Sequence, residues 1–287
     1  MQLQTAQRKK AKIRLGLSAV SGGGKTYSAL LIAYGLCGDW SKVAVIDTEN
    51  HSAELYSHLG AYQVLALEAP FTPERYILAI KACEAANIEV IIIDSITHEW
   101  DGKGGVIEIS NSMTGNSFTN WAKITPRHQA FIDSILQSKC HVITTVRRKQ
   151  DYEMTKDNNG KLQVQKAGLK EVTREGFEYE LTVNLELDQN HNATASKDRT
   201  GLFAGKPQFT PSEYTGLLIR NWCDQGTEVK VDQNHAKFLA DWQEAVQNCE
   251  NINDLTELYN GNKPSVDQSH EVKAMFKTRG KTLKAKV

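Results

Sequence analysis

The segment Ala19-Val20-Ser21-Gly22-Gly23-Gly24-Lys25-Thr26 limits what this chain can fold into more than any other feature. An alternating apolar run at 13–18 precedes it. An apolar-rich run at 26–37, stopped near Gly38, follows it. That order predicts a strand, a tight turn and a helix, the context in which glycines followed by Lys-Thr become a phosphate cradle. Glycines let successive backbone N–H groups turn inward around an anion, and the helix N-terminus adds partial positive charge. Ser21, Gly22, Gly23, Gly24, Lys25 and Thr26 are therefore the expected nucleotide-binding residues. Lys25 would reach the β- and γ-phosphates of ATP, and the Thr26 hydroxyl would ligate Mg²⁺, a cation that prefers hard oxygen ligands. Ala19 stands where the usual pattern has its first glycine, a small departure if that position keeps a negative φ.

The apolar runs that follow fit a parallel sheet. Residues 42–47 (KVAVID), 89–94 (EVIIID) and 140–146 (CHVITTV) are continuous apolar stretches, as strands buried on both faces should be. A short strand is expected at 64–67. Helices are expected at 72–86, where Thr72 suits the N-cap and Pro73 the first turn, and at 126–137. The polar, glycine-rich stretch 102–120 reads as a loop. Strands separated by helices imply an α/β fold, a mostly parallel sheet with helices on both faces. Beyond 147 the texture changes. Residues 150–153 and 161–165 flank Asp157-Asn158-Asn159-Gly160 and read as a hairpin. Late strands are expected at 180–187 and 193–196. A boundary near Gly226 separates a core, 1–225, from a small helical region, 226–287, with helices at 235–248, 252–259 and 271–284.

Two acids complete the expected site. Asp94 ends a buried strand, at the edge where open α/β sheets bind ligands, and would hold Mg²⁺ through water. Ser95 follows it, so the water-activating group must come from elsewhere. Glu49, two residues past the strand 42–47, stands at the same edge and is the expected base, with an exposed surface acid as the alternative. Glu99 is expected to face solvent.

IDTEN at 46–50, IIIDS at 91–95 and the strand CHVITTV resemble, in order and spacing, the RecA-like P-loop ATPase core. In that family the Glu after the second strand activates water and the Asp-Ser pair ends the metal-binding strand. The segments HVITTVRRKQDYE, GLKEVTREGFEYE and ASKDRTGLF are similar to those of phage and prophage RecA-like ATPases associated with single-strand annealing and recombination. The resemblance covers about residues 10–225. It implies ATP hydrolysis, single-stranded DNA as partner and a homo-oligomeric ring or filament with nucleotide between subunits. Thr144 and Thr145 lie where RecA ends its sensor strand with Gln.

Lys197-Asp198-Arg199-Thr200-Gly201 resembles the K-x-R-x-G segment that replicative hexameric helicases with a RecA-like core insert into a neighbouring subunit's site. Residues i and i+2 of an extended segment point the same way, so Lys197 and Arg199 would meet one γ-phosphate together. The bland alternative is a pair of solvated cations. Arg147, Arg148, Lys149, Lys156, Lys161 and Lys166 begin where RecA-like recombinases carry a DNA-binding loop, and would track a phosphate backbone. A solvated ribbon or a subunit interface would use the same charges, and Arg147 and Lys149 lie near enough to the site to sense phosphate instead. Trp100, Phe118 and Trp121 read as packing under a long loop.

Lys+Arg and Asp+Glu both number 34, so net charge selects no partner. The basic ends, 1–14 and 273–287, read as solvated termini. Five scattered cysteines without ligand spacing suggest reduced thiols in a cytoplasmic protein. No run is long enough to span a bilayer. Two rival readings share the phosphate loop: a nucleotide switch that recruits a protein through the 226–287 helices, and a P-loop kinase of a small acceptor.

Overall fold

The computed structural model describes residues 5–156, 162–227 and 233–284, which divide into two compact units, 1–226 and 227–287. In the first unit β1 (Arg14–Ala19) runs into α1 (Lys25–Cys37). Then come β2 (Val43–Asp47), β3 (Gln63–Ala66), α2 (Pro73–Ala85) and β4 (Val90–Asp94). Three helices follow, α3 (Thr97–Asp101), α4 (Val106–Ser112) and α5 (Ser117–Gln137). The unit finishes with β5 (His141–Lys156), β6 (Leu162–Glu171), α6 (Phe177–Glu180), β7 (Val183–Leu187), β8 (Ala193–Asp198) and α7 (Glu213–Cys223). The sheet order is β3-β2-β4-β5-β1-β7-β8, with β6 paired to β5 alone. Pairing is parallel from β3 across to β7; β8 and β6 join antiparallel.

The continuous apolar strands are explained by two cores, one on each face. Leu15, Leu17, Val45, Ile92, Ile143 and Leu185 pack towards α1, whereas Ile46, Ile91, Ile93, Val142 and Val146 pack with Tyr76 of α2 and Phe131 and Ile135 of α5. Helix α7 lies on α1 at a contact that only glycine allows. A Cβ at Gly216 would stand 2.2 Å from the Ile32 carbonyl oxygen, and one at Gly35 would stand 2.0 Å from that of Glu213.

Residues 102–120 are not the expected loop. Gly102 and Gly105 turn the chain tightly, α4 follows, and α5 begins at Ser117 behind the N-cap Asn116, whose side chain accepts from Phe118 N at 2.8 Å. Asn120, Ile124, His128, Phe131 and Ile135 form one buried face, a helical period diluted by two polar residues. Pro126 sits inside α5 rather than opening it. Trp100 and Trp121 pack with ring centroids 5.7 Å apart, as expected, but Phe118 is exposed.

Residues 5–12 of the basic N-terminal segment are exposed, as expected, but Arg8 and Arg14 are tied to the core. Arg14 is buried and donates to the carbonyls of Leu136, Ser138 and Cys140, closing the end of α5 against β5. Burial pulls its pKa down to about 10. Arg8 stacks 4.4 Å over the Trp222 ring and donates to the carbonyls of Trp222 and Gln225. All five cysteines are free thiols.

In the second unit α8 (Gln233–Gln247), α9 (Ile252–Gly261), α10 (Lys263–Gln268) and α11 (His270–Lys284) enclose a core of Val246, Leu255, Val266, Val272, Phe276 and Leu283. No helix among the described residues is long and apolar enough to cross a membrane.

Gly216→Ala should lower unfolding stability by about 1–3 kcal/mol or more, because backbone oxygen cannot yield to the new methyl; chemical denaturation of the variant measures it. His141, buried in β5 and accepting from Ile13 N at 3.1 Å, has its pKa pushed down to about 3 by burial. Below its usual value of 6.5 the unfolded chain takes up a proton that the folded chain refuses, so stability falls with pH in that window. In His141→Gln the slope of unfolding free energy between pH 6 and 5 should be shallower by about 1.4 kcal/mol per unit.

Candidate nucleotide site

The site lies at the carboxyl ends of β1, β4 and β2 and beside Thr145–Arg147, where β5 leaves the parallel sheet. Register places Asp47 opposite Asp94, Ile93 opposite Thr144 and Ala19 opposite Arg147. The phosphate-loop strand and the Asp94 strand are thus separated by β5, whose Thr145 reaches across the gap. A cavity of 660 Å³ opens there, lined by Ser21, Gly22, Gly24, Lys25, Thr26, Glu49, Asp94 and Arg147 among others.

The loop has the backbone that an anion cradle requires. Gly22 and Gly24 take left-handed φ of 79° and 80°, and Gly24 is the N-cap of α1. A Cβ on Gly23 would meet the Ala19 methyl at 2.7 Å, so the extra carbon at Ala19 is accommodated by a glycine opposite it. Ala19 itself ends β1 in extended backbone, where a methyl costs nothing. Lys25 Nζ donates to the carbonyls of Ala19 and Val20 at 3.3 and 3.1 Å. Its pKa is lowered, chiefly by burial, with Asp94 opposing the shift and Arg147 adding to it.

Asp94 is 1% exposed and accepts from the Thr26 and Thr145 hydroxyls, each at 2.5 Å. Burial raises its pKa; both hydroxyls pull it back only in part. This arrangement fits Mg²⁺. The Thr26 hydroxyl directs its hydrogen at Asp94 and leaves its lone pairs for a hard cation, and the buried carboxylate carries charge without a full counter-ion. Bound there, Mg²⁺ would neutralise charge on phosphate oxygens. Thr26 would ligate it and Asp94 would orient its water.

Glu49 sits on the loop after β2. Asp47, 2% exposed, accepts from Glu49 N at 2.6 Å and from Ala53 N at 2.8 Å, which fixes that loop. Thr48 and Ser95 exchange further hydrogen bonds, with His98 Nδ1 2.9 Å from Thr48 Oγ1. The Glu49 carboxylate accepts from Ser95 Oγ at 2.8 Å, from Arg147 Nε at 2.9 Å and from Arg147 Nη2.

Residues 11–211 match the model of a protein family described as an AAA domain, most of the chain's length. The chain belongs to this family. Its core is accordingly a P-loop ATPase-type domain, with the mixed α/β fold and mostly parallel sheet seen here. No curated protein matches the chain.

Other expected residues of this AAA domain fall elsewhere. Arg147, named both among the DNA-contacting cations and as near enough to sense phosphate, lines the cavity, because β5 carries it to the same edge as Glu49. Arg148 pairs with Glu186 at 2.7 Å and Lys149 with Asp101 at 3.5 Å, so neither is an uncompensated charge. Lys156 ends β5, Lys166 is exposed on β6, and Lys161 with the Asn159-Gly160 turn lies outside the described residues. Lys197 and Arg199 do point the same way: both donate to the Tyr179 carbonyl, and neither lines the cavity. Glu99 is a correction. It is 1% exposed and bonds His128 Nδ1 at 3.0 and 3.1 Å, because α5 covers a segment that reads as open loop.

The cavity also takes Tyr27, Tyr56, His191, Thr210 and Pro211 from four separate stretches of chain. Tyr27 and Tyr56 meet edge to face at 5.6 Å and form an aromatic corner of the cavity. No local pattern marks these residues, since each is an ordinary loop or helix residue in its own segment.

Asp94→Asn should raise the midpoint of thermal unfolding of the nucleotide-free protein by about 2–4 °C, because it removes a desolvated charge. It should at the same time abolish Mg²⁺-dependent nucleotide hydrolysis. Calorimetry beside a phosphate-release assay reads both.

Proposed function

We propose that this protein is an ATP-hydrolysing RecA-like enzyme that acts on single-stranded DNA as a ring or filament, in phage-type recombination or annealing. The observation that carries the hydrolytic reading is the placement of two carboxylates around one phosphate loop. Asp94 is tied to the expected Mg²⁺ ligand Thr26, while Glu49 stands on an adjacent strand's loop at the mouth of the same cavity. Separate acids for metal and water suit hydrolysis better than transfer to a small acceptor.

The nucleic-acid part rests on β5. One strand carries Thr145, bonded to Asp94, then Arg147 in the cavity, and then continues as one arm of the β5–β6 ribbon. A ligand on the ribbon and a nucleotide in the cavity would thus act on one stretch of backbone. Tyr152 is exposed on the ribbon beside Lys166, a face for stacking and phosphate contact. The finger reading needs a neighbour: Lys197 and Arg199 lie outside their own subunit's cavity, as residues acting on the next subunit would.

The test is ATP hydrolysis with and without single-stranded DNA, beside mass measurement of the assembly. Lys25→Ala should lose hydrolysis. Glu49→Gln should bind ATP and hydrolyse it on the order of 10²–10⁴-fold more slowly. Unchanged turnover in both variants would remove the site assignment. Arg199→Ala mixed with Asp94→Asn should recover activity that neither has alone, and no recovery in confirmed mixed assemblies rules out a shared finger. Lys156→Ala with Lys166→Ala should make the salt dependence of DNA binding shallower by roughly one to one and a half units of slope. An unchanged slope with ATP binding intact leaves the ribbon as an interface, and capture of a protein partner without any DNA response would favour the nucleotide-switch reading.

A further inference from the structure

Three of the four lone-pair positions of the Glu49 carboxylate are engaged in the structure. Oε1 accepts from both Ser95 Oγ and Arg147 Nε, which fills its two lone-pair positions, and Oε2 accepts from Arg147 Nη2. A general base must offer a lone pair to the water it deprotonates. Held in this way, Glu49 has one position left, on the oxygen that the Arg147 fork already occupies, so the guanidinium competes with a water for the carboxylate. The holder is asymmetric: the Glu49 side chain is 14% exposed and that of Arg147 is 42% exposed, with both lining the cavity. Glu49 is therefore the fixed partner and the guanidinium the open one.

The Arg147 backbone is pinned on every side. It is the last β5 residue in register with β1, opposite Ala19 at the root of the phosphate loop. Its N–H donates to Thr97 Oγ1 at 2.9 Å, and its carbonyl accepts from Val172 N at 2.8 Å. What can move is the side chain, and the cavity it faces contains Lys25. Two cations turned towards one cavity repel each other and favour an anion between them; the downward pull of Arg147 on the Lys25 pKa reflects that repulsion. A guanidinium fork matches phosphate oxygens as well as it matches a carboxylate, and a terminal phosphate carries more charge than Glu49.

We infer that Arg147 is a positioning residue that holds Glu49 in check in the nucleotide-free protein and exchanges it for the terminal phosphate of ATP. The inference rests on the cavity being an ATP site. The exchange frees Oε2 and one position on Oε1, while Ser95 keeps the carboxylate aimed. A water oxygen then bonds to the γ-phosphorus as the bond to the β,γ-bridging oxygen breaks. ADP leaves with that electron pair, and the water proton passes to Glu49 and on to phosphate. ADP has no γ-phosphate, so after product release the fork returns to Glu49. Glu49 is thus released from the Arg147 fork only while a triphosphate is present.

Binding of ADP and of a non-hydrolysable β,γ-imido ATP analogue to the parent protein, Arg147→Ala and Arg147→Lys tests the exchange. In Arg147→Ala, affinity for the analogue should fall about tenfold to a hundredfold while ADP affinity stays within twofold. Arg147→Lys, a cation without a fork, should fall between. A second measurement separates this from a merely structural ion pair. In a double-mutant cycle of Arg147→Ala and Glu49→Gln, read by thermal unfolding, the two sites should be coupled without nucleotide and uncoupled at saturating analogue. Equal losses for ADP and analogue, or the same coupling in both states, would overturn the inference. If the parent protein binds neither nucleotide, the reading of the cavity fails first and the inference with it.

Discussion

The structure depends on one buried carboxylate. Asp94 ends the inner strand β4 and is held by a hydroxyl from α1 on one side and a hydroxyl from β5 on the other. Those bonds tie the phosphate loop, the metal-side strand and the strand between them into one rigid edge. Hydroxyls are neutral donors and do not cancel the charge. Such a group destabilises a resting protein and favours a cation strongly, because both effects come from the same low-dielectric surroundings. Fold stability and ligand affinity are opposed at this point.

The sheet order makes that arrangement possible. With β5 between β1 and β4, a single strand touches both halves of the site and then leaves it. Thr145 bonds Asp94, Arg147 bonds Glu49, and the next residue, Arg148, begins the pairing with β6. The ribbon is connected to the cavity by a few residues of continuous strand. The two cores hold that strand through Ile143 on one face and through Val142 and Val146 on the other.

The loop carrying Glu49 shows a different economy. Asp47 takes no part in the expected chemistry, yet its two oxygens cap the backbone of Glu49 and Ala53, and Thr48 locks the same loop to Ser95. A side chain on a loop is positioned only as well as its supporting bonds allow. Here two buried polar residues from the end of β2 supply that support, and their burial is possible because β2 lies inside the sheet rather than at its rim.

The phosphate loop, the parallel strands and Asp94 were legible in the sequence because their causes are local. Glycines at left-handed positions, a lysine and threonine at a helix start, and apolar runs ending in an acid each express a requirement of the backbone within a few residues. The early start of α5 was not legible, because Asn120 and His128 occupy its buried face and are polar in composition. Nor was the burial of Glu99, which depends on His128 across 29 residues of chain. The partner of Glu49 is 98 residues away in Arg147, a residue that composition groups with the basic ribbon. Tyr56, His191 and Pro211 meet in the cavity only because the sheet brings separate loops to one edge. Local backbone demands are written in consecutive residues. Which charges meet, and which lie out of water, is set by the order of strands, and only the folded sheet contains that order.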